Sequence, residues 1–145
     1  VANPNISPGI LQLLNTSVTI PAFPSLNVTP PYLGKQMVHL ALSGDATKDL
    51  PVAVGVVKSP QQYLMAEVRI NLIKSQGLAD LYKKQWESNS ILGAITVRPD
   101  TTVLSPFDLV QVGIKSVGDM AFNGEEPDLF VVLSGQYNIN LSLWP

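Results

Sequence analysis

The stretch Leu64-Met-Ala-Glu-Val-Arg-Ile-Asn-Leu-Ile-Lys74, with Leu78-Ala-Asp-Leu-Tyr-Lys-Lys-Gln-Trp-Glu87 and Ile91-Leu-Gly-Ala-Ile-Thr-Val-Arg98 after it, decides the fold. Leu64, Ala66, Val68, Ile70 and Leu72 point one way, while Glu67, Arg69 and Asn71 point the other. That period of two predicts a strand with one face buried and one face wet. Ser75-Gln-Gly breaks it, and Leu78, Leu81, Tyr82 and Trp86 then fall on one stripe of an amphipathic helix of about three turns. Ser75 is placed to cap that helix and Asn89 to close it before strand pattern returns at Ile91. A single helix laid on a mostly antiparallel sheet is the frame that the rest of the chain must fit.

Working outward from there, Asp108–Lys115 and Leu129–Asn138 read as strands, the first with Val110, Val112 and Ile114 on one face. Between them, Asn123-Gly124 is a hairpin signal that Glu125-Glu126-Pro127-Asp128 lengthens. The tail Ile139–Trp144 keeps alternating. Upstream, Lys35–Ser43 alternates with Val38, Leu40 and Leu42 on one face and Met37, His39 and Ala41 on the other. Gly44–Tyr63 is a long excursion whose apolar middle, Val52–Val57, is able to pair as a hairpin arm; loops of such length usually carry function. Residues 1–34 read as an extended N-terminal arm, with a short apolar run Ile10–Leu14, a short strand Ser17–Ile20, and Pro21, Pro24, Pro30 and Pro31, which confine it to an edge or a surface segment. The predicted fold is mainly β with one helix: an antiparallel β-sandwich or split barrel of six to eight strands with one flanking α-helix, in a single domain spanning 1–145.

Composition narrows the function. Charged residues make up only 14% of the 145, against about 25% in ordinary globular domains, while 46% are hydrophobic. No apolar run approaches the length of a membrane helix, and the opening Val1-Ala-Asn-Pro does not read as a signal peptide. So little charge leaves a chain short of polar surface to cover itself as a monomer, which implies contact with other subunits. With no cysteine, disulfides and thiolate metal sites are excluded. Nine basic and eleven acidic residues, with Arg69 and Arg98 the only arginines, make no phosphate-gripping patch.

The search for chemistry finds no catalytic residues and no metal or cofactor site. His39 is the single histidine, mid-strand, with no partner at a known spacing. Glu125–Asp128 lacks the alternating oxygen ligands of a calcium loop and reads as a solvated turn. Glu67 and Arg69 read as an exposed pair on one strand face. No phosphate-loop, dinucleotide or nucleophile-elbow string occurs. Trp86 reads as core, and Trp144 as core or an interface anchor.

Taken together, this order of elements resembles the tail-tube fold of bacteriophages, shared with secretion-system tube proteins. Leu64–Lys74, Leu78–Glu87, Ile91–Arg98, Asp108–Lys115 and Leu129–Asn138 match the sheet-helix-sheet body, and Gly44–Tyr63 matches its long loop. The resemblance covers the chain from about Lys35 onward and is one of pattern, since the family has no diagnostic motif. It implies a homohexameric ring that stacks into the tube of a virion tail, meeting sheath or baseplate proteins, with DNA passing through the lumen without specific binding. Glu67, Arg69 and Asn71 would then face the lumen, and Asp45, Lys48, Asp49 and Lys58 would make inter-ring contacts. A tube-like baseplate ring that initiates the tube is the nearest alternative. A β-sandwich module that binds a receptor or carbohydrate is the next, and a hydrolase working through His39 the last.

Overall fold

A computed structural model describes residues 8–118 and 120–144. Eight strands and one α-helix run in the order β1 (Ser17–Thr19), β2 (Leu33–Ser43), β3 (Thr47–Val52), β4 (Gly55–Pro60), β5 (Tyr63–Ile73), α1 (Gly77–Ser88), β6 (Ile91–Arg98), β7 (Phe107–Val117) and β8 (Asp128–Asn138). Six strands form one curled antiparallel sheet in the order β1-β6-β7-β8-β5-β2, and β3 with β4 forms a separate hairpin. The fold class expected from the alternation is the fold observed.

The spine of the sheet is β5 against β8, whose register runs unbroken from Tyr63 opposite Asn138 to Ile73 opposite Asp128. Ala66, Val68, Ile70 and Leu72 of β5 enter the core with Leu129, Val131 and Leu133 of β8, each large aliphatic side chain contributing roughly 1.5–3 kcal/mol by leaving water. On either side of this spine the ladder is interrupted by bulges in the β2, β6 and β7 pairings. An extra residue on one strand bends it and raises its twist, and these bends curl the sheet. Two of the bulges hold non-glycine residues at positive φ, Met37 (53°) and Gln111 (52°).

Each bulge shifts the inside–outside parity. Met37, expected opposite Val38 and Leu40, packs against the core as they do. In β7 the buried residues are Leu109 and Val112, not the run Val110, Val112 and Ile114, because Gln111 is the extra residue between them.

The helix spans Gly77–Ser88 and buries Leu78, Ala79 and Tyr82, with Trp86 partly covered. Leu81, expected on that stripe, is 41% exposed. The buried face is rotated toward Ala79 because α1 lies against the 3-10 turn Pro24–Leu26 as well as β5. Ser75 does not cap it; Gln76 holds the N-cap position without a side-chain bond. Asn89 does close it, its N–H donating to Gln85 O at 2.7 Å and its Oδ1 accepting from Ile91 N–H at 3.0 Å.

The proline-rich segment is part of the body instead of an extended arm. Val18, Ile20, Leu26, Val28 and Leu33 are all buried, and the Tyr82 hydroxyl donates to Leu26 O at 2.8 Å. Prolines 24 and 30 each open a 3-10 turn, where a missing N–H costs nothing. The apolar run Ile10–Leu14 stays exposed. At the other end, alternation stops at Asn138: Asn140 turns left-handed and a 3-10 turn, Leu141–Leu143, follows. Trp144 is 38% exposed and donates its indole N–H to Ile139 O, so it is no core residue.

Candidate assembly surfaces

Three surfaces follow from this frame: a polar sheet face, an open sheet edge and a protruding hairpin. The polar face is built by the odd-numbered residues of β5 and the even-numbered residues of β8. Glu67 lies opposite Ser134, and Arg69 opposite Val132. Lys115 reaches over β8 from β7 to put its Nζ 3.5 Å from Glu67 Oε2, with both side chains about half exposed. The Arg69 guanidinium lies 5.9 Å from the centroid of the Phe130 ring, a cation–π arrangement. The face therefore mixes both signs of charge, and its acidic group is already paired.

Asn71, expected beside Glu67 and Arg69, is not on that surface. It is fully buried, and neither its Oδ1 nor its Nδ2 makes a hydrogen bond with another described residue. The β2 bulge brings Gly34 over it, so close that a Cβ at Gly34 would stand 3.0 Å from Asn71 Nδ2 and 2.6 Å from Asp128 Oδ1. Alternation assigned Asn71 to the right side of the sheet, but a backbone segment distant in sequence covers that end.

The open edge belongs to β2. At the far side of the sheet, β1 is closed off by Val28, which exchanges two backbone hydrogen bonds with Val18 at 3.0 and 2.8 Å. In contrast, among the described residues β2 pairs only with β5. A free strand edge is a template for another strand. His39 sits on β2, exposed and opposite Arg69.

The hairpin β3–β4 is the middle of the long excursion, paired from Thr47 opposite Pro60 to Val52 opposite Gly55. Every residue from Ala41 to Lys58 is exposed. Of the four charged inter-ring candidates, Asp49 and Lys58 face each other and form an ion pair of 2.5 Å. Lys48 falls on the opposite face, across from Ser59, and Asp45 stands at the base. Beyond these charges the arm is apolar: Leu50, Val52, Val56 and Val57 are about half exposed, and Val54 at the tip is 96% exposed. A two-stranded hairpin is marginally stable alone, and this one is held at its base. Gln61 N–H donates to Ala46 O at 3.0 Å, and the Asn140 side-chain amide donates to Gln61 O and Ala46 O.

Among the described residues no group of three or more His, Asp or Glu lies close enough to hold a metal ion, and no helix is long and apolar enough to cross a membrane. Glu125 lies in an exposed turn where its N–H bonds Asn123 Oδ1, whereas Asp128 begins β8. Compared with known proteins, the chain matches no family model and no curated sequence.

Proposed function

We propose that this chain is the repeating subunit of a bacteriophage tail tube, closing as homohexameric rings that stack around a DNA passage. The observation that carries the reading is the β3–β4 hairpin, an arm exposed on both faces and apolar toward its tip, projecting from a curled sheet. An arm of this kind is costly on a free monomer and is accounted for by burial between subunits. The β2 edge supports lateral contact within a ring, since a neighbour's backbone would satisfy its free groups. The face carrying Glu67, Arg69 and Lys115 is the lumen candidate: Glu67 pairs with Lys115 and Arg69 lies against the Phe130 ring, so it presents mixed, sparse charge and not a dense cationic patch that grips phosphates. Asp45, Lys48, Asp49 and Lys58 are the inter-ring candidates on the arm, with sheath or baseplate proteins as further partners in the virion tail.

Negative-stain electron microscopy of the purified protein, beside its sedimentation profile, tests this. Stacked rings or hollow tubes are the expected result, and single rings that do not stack would favour the baseplate ring that starts a tube. Deleting residues 45–57 is expected to leave a folded subunit that forms no long tubes. A compact monomer at high concentration, or tube growth by the deletion variant, would overturn the assignment.

A further inference from the structure

The base of the hairpin and a wide, mostly apolar opening lie at opposite ends of the same strands. The hairpin connects the end of β2, Ser43, to the start of β5, Tyr63. The opening, about 640 Å³, lies where β2 begins and β5 ends, at Leu33, Met37, Ile73 and Pro127 with Lys35 and Asp128. The eleven residues of β5 separate the two ends by about 33 Å at about 3.3 Å per residue. A hairpin of one subunit therefore has its base at the end of the strands opposite its own opening.

The two ends also match in chemistry. The outer part of the arm, Leu50 to Val57, carries no charge, and behind it come Lys48, Asp49 and Lys58. The opening is lined mainly by apolar side chains, with Lys35 exposed and Asp128 half-buried beside them. An uncharged tip entering an apolar recess buries no charge, and the groups of both signs around each end allow opposite charges to pair at the rim. We propose that the opening between the start of β2 and the end of β5 is a socket for the β3–β4 hairpin tip of a second copy of this chain. The contact is heterologous, since different patches of the two copies meet, and such a contact repeats along an axis instead of closing as a dimer. This pairing deepens the ring-stacking reading and rests on it for its occupant.

Cross-linking tests it, because the chain has no cysteine of its own. Val54→Cys at the tip and Lys35→Cys at the socket are both exposed, so neither substitution disturbs the core. With a short bismaleimide the double variant is expected to give a ladder of covalent multimers on a denaturing gel, while Val54→Cys alone gives none beyond a dimer. A control pair, Val54→Cys with Lys84→Cys on the exposed face of α1, is expected to give no ladder. An equal ladder from the control pair, or efficient tip-to-tip dimers from Val54→Cys alone, would overturn the socket. So would absence of a ladder from the Lys35 pair, whether in stacked particles or in protein that stays monomeric. Stacked tubes without a ladder would remove the socket and keep the tube reading. A ladder in open filaments without rings would keep the socket and remove the tube.

Discussion

The Asn140 side-chain amide donates to Gln61 O at 2.8 Å and, more weakly, to Ala46 O at 3.1 Å, tying the C-terminal turn to both strands at the hairpin's base. Asn140 does so from a left-handed backbone, φ 55°, which asparagine tolerates better than most residues. Asn140→Ala removes the amide and strains the backbone, whereas Asn140→Gly removes the amide alone. We expect both to speed amide hydrogen exchange in β3 and β4 at least several-fold, with alanine also lowering global stability by about 1 kcal/mol. Unchanged exchange in the hairpin would show that the anchor does not order it.

Tyr82 is bolted to the N-terminal segment through its bond to Leu26 O. Tyr82→Phe leaves that buried carbonyl without its donor, at a cost of about 1–3 kcal/mol, read as a lower midpoint in denaturant. Burial also holds the phenol neutral, well above the ordinary value of 10.0. Its stabilising contribution is fully present below pH 10 and is lost as pH rises toward the raised folded value, because the unfolded phenol ionises first. Stability of the native protein is thus expected to fall above pH 10 more steeply than that of Tyr82→Phe, by up to ~1.4 kcal/mol per pH unit. Parallel alkaline curves would refute this.

At Gly135 of β8 the sheet has no room for a side chain. A Cβ there would stand 2.5 Å from Val112 Cγ2 and 3.1 Å from Val110 O, the former on a buried side chain. Gly135→Ala is expected to cost roughly 1–3 kcal/mol by overpacking. Gly77→Ala, at the first position of α1 with open space around it, is expected to be neutral or to stabilise by up to ~1 kcal/mol. Thermal melts of the two variants side by side decide it.

Asn71 holds a buried amide without a hydrogen bond to another described residue. Asn71→Leu, similar in shape, is expected to raise stability by about 1 kcal/mol, since the polar group's desolvation cost disappears. Asn71→Asp would bury a carboxylate close to Asp128 and is expected to destabilise by more than about 2 kcal/mol at neutral pH, with partial recovery in acid. A loss of stability in the leucine variant would contradict this account of the site.

The sequence by itself determined the strands, the helix and their order, because β5 and β8 lie in a ladder without bulges and period-two alternation survives there intact. It also marked the excursion at Gly44–Tyr63 and its pairing, since turn and strand chemistry are local. Only the tertiary structure decided which side chains are covered. Met37 and Gln111 sit at bulges that break the alternation, so Met37 joins Val38 and Leu40 on the core and Leu109 replaces Val110 inside, and a bulge depends on the curvature that the whole sheet adopts. Asn71 is buried by Gly34, and Glu67 is paired by Lys115 from across an intervening strand; neither partner is near in sequence. Alternation reports the side of a sheet on which a residue stands. Whether that side meets water depends on long-range packing, and so the exposure of the candidate surfaces was settled by the fold.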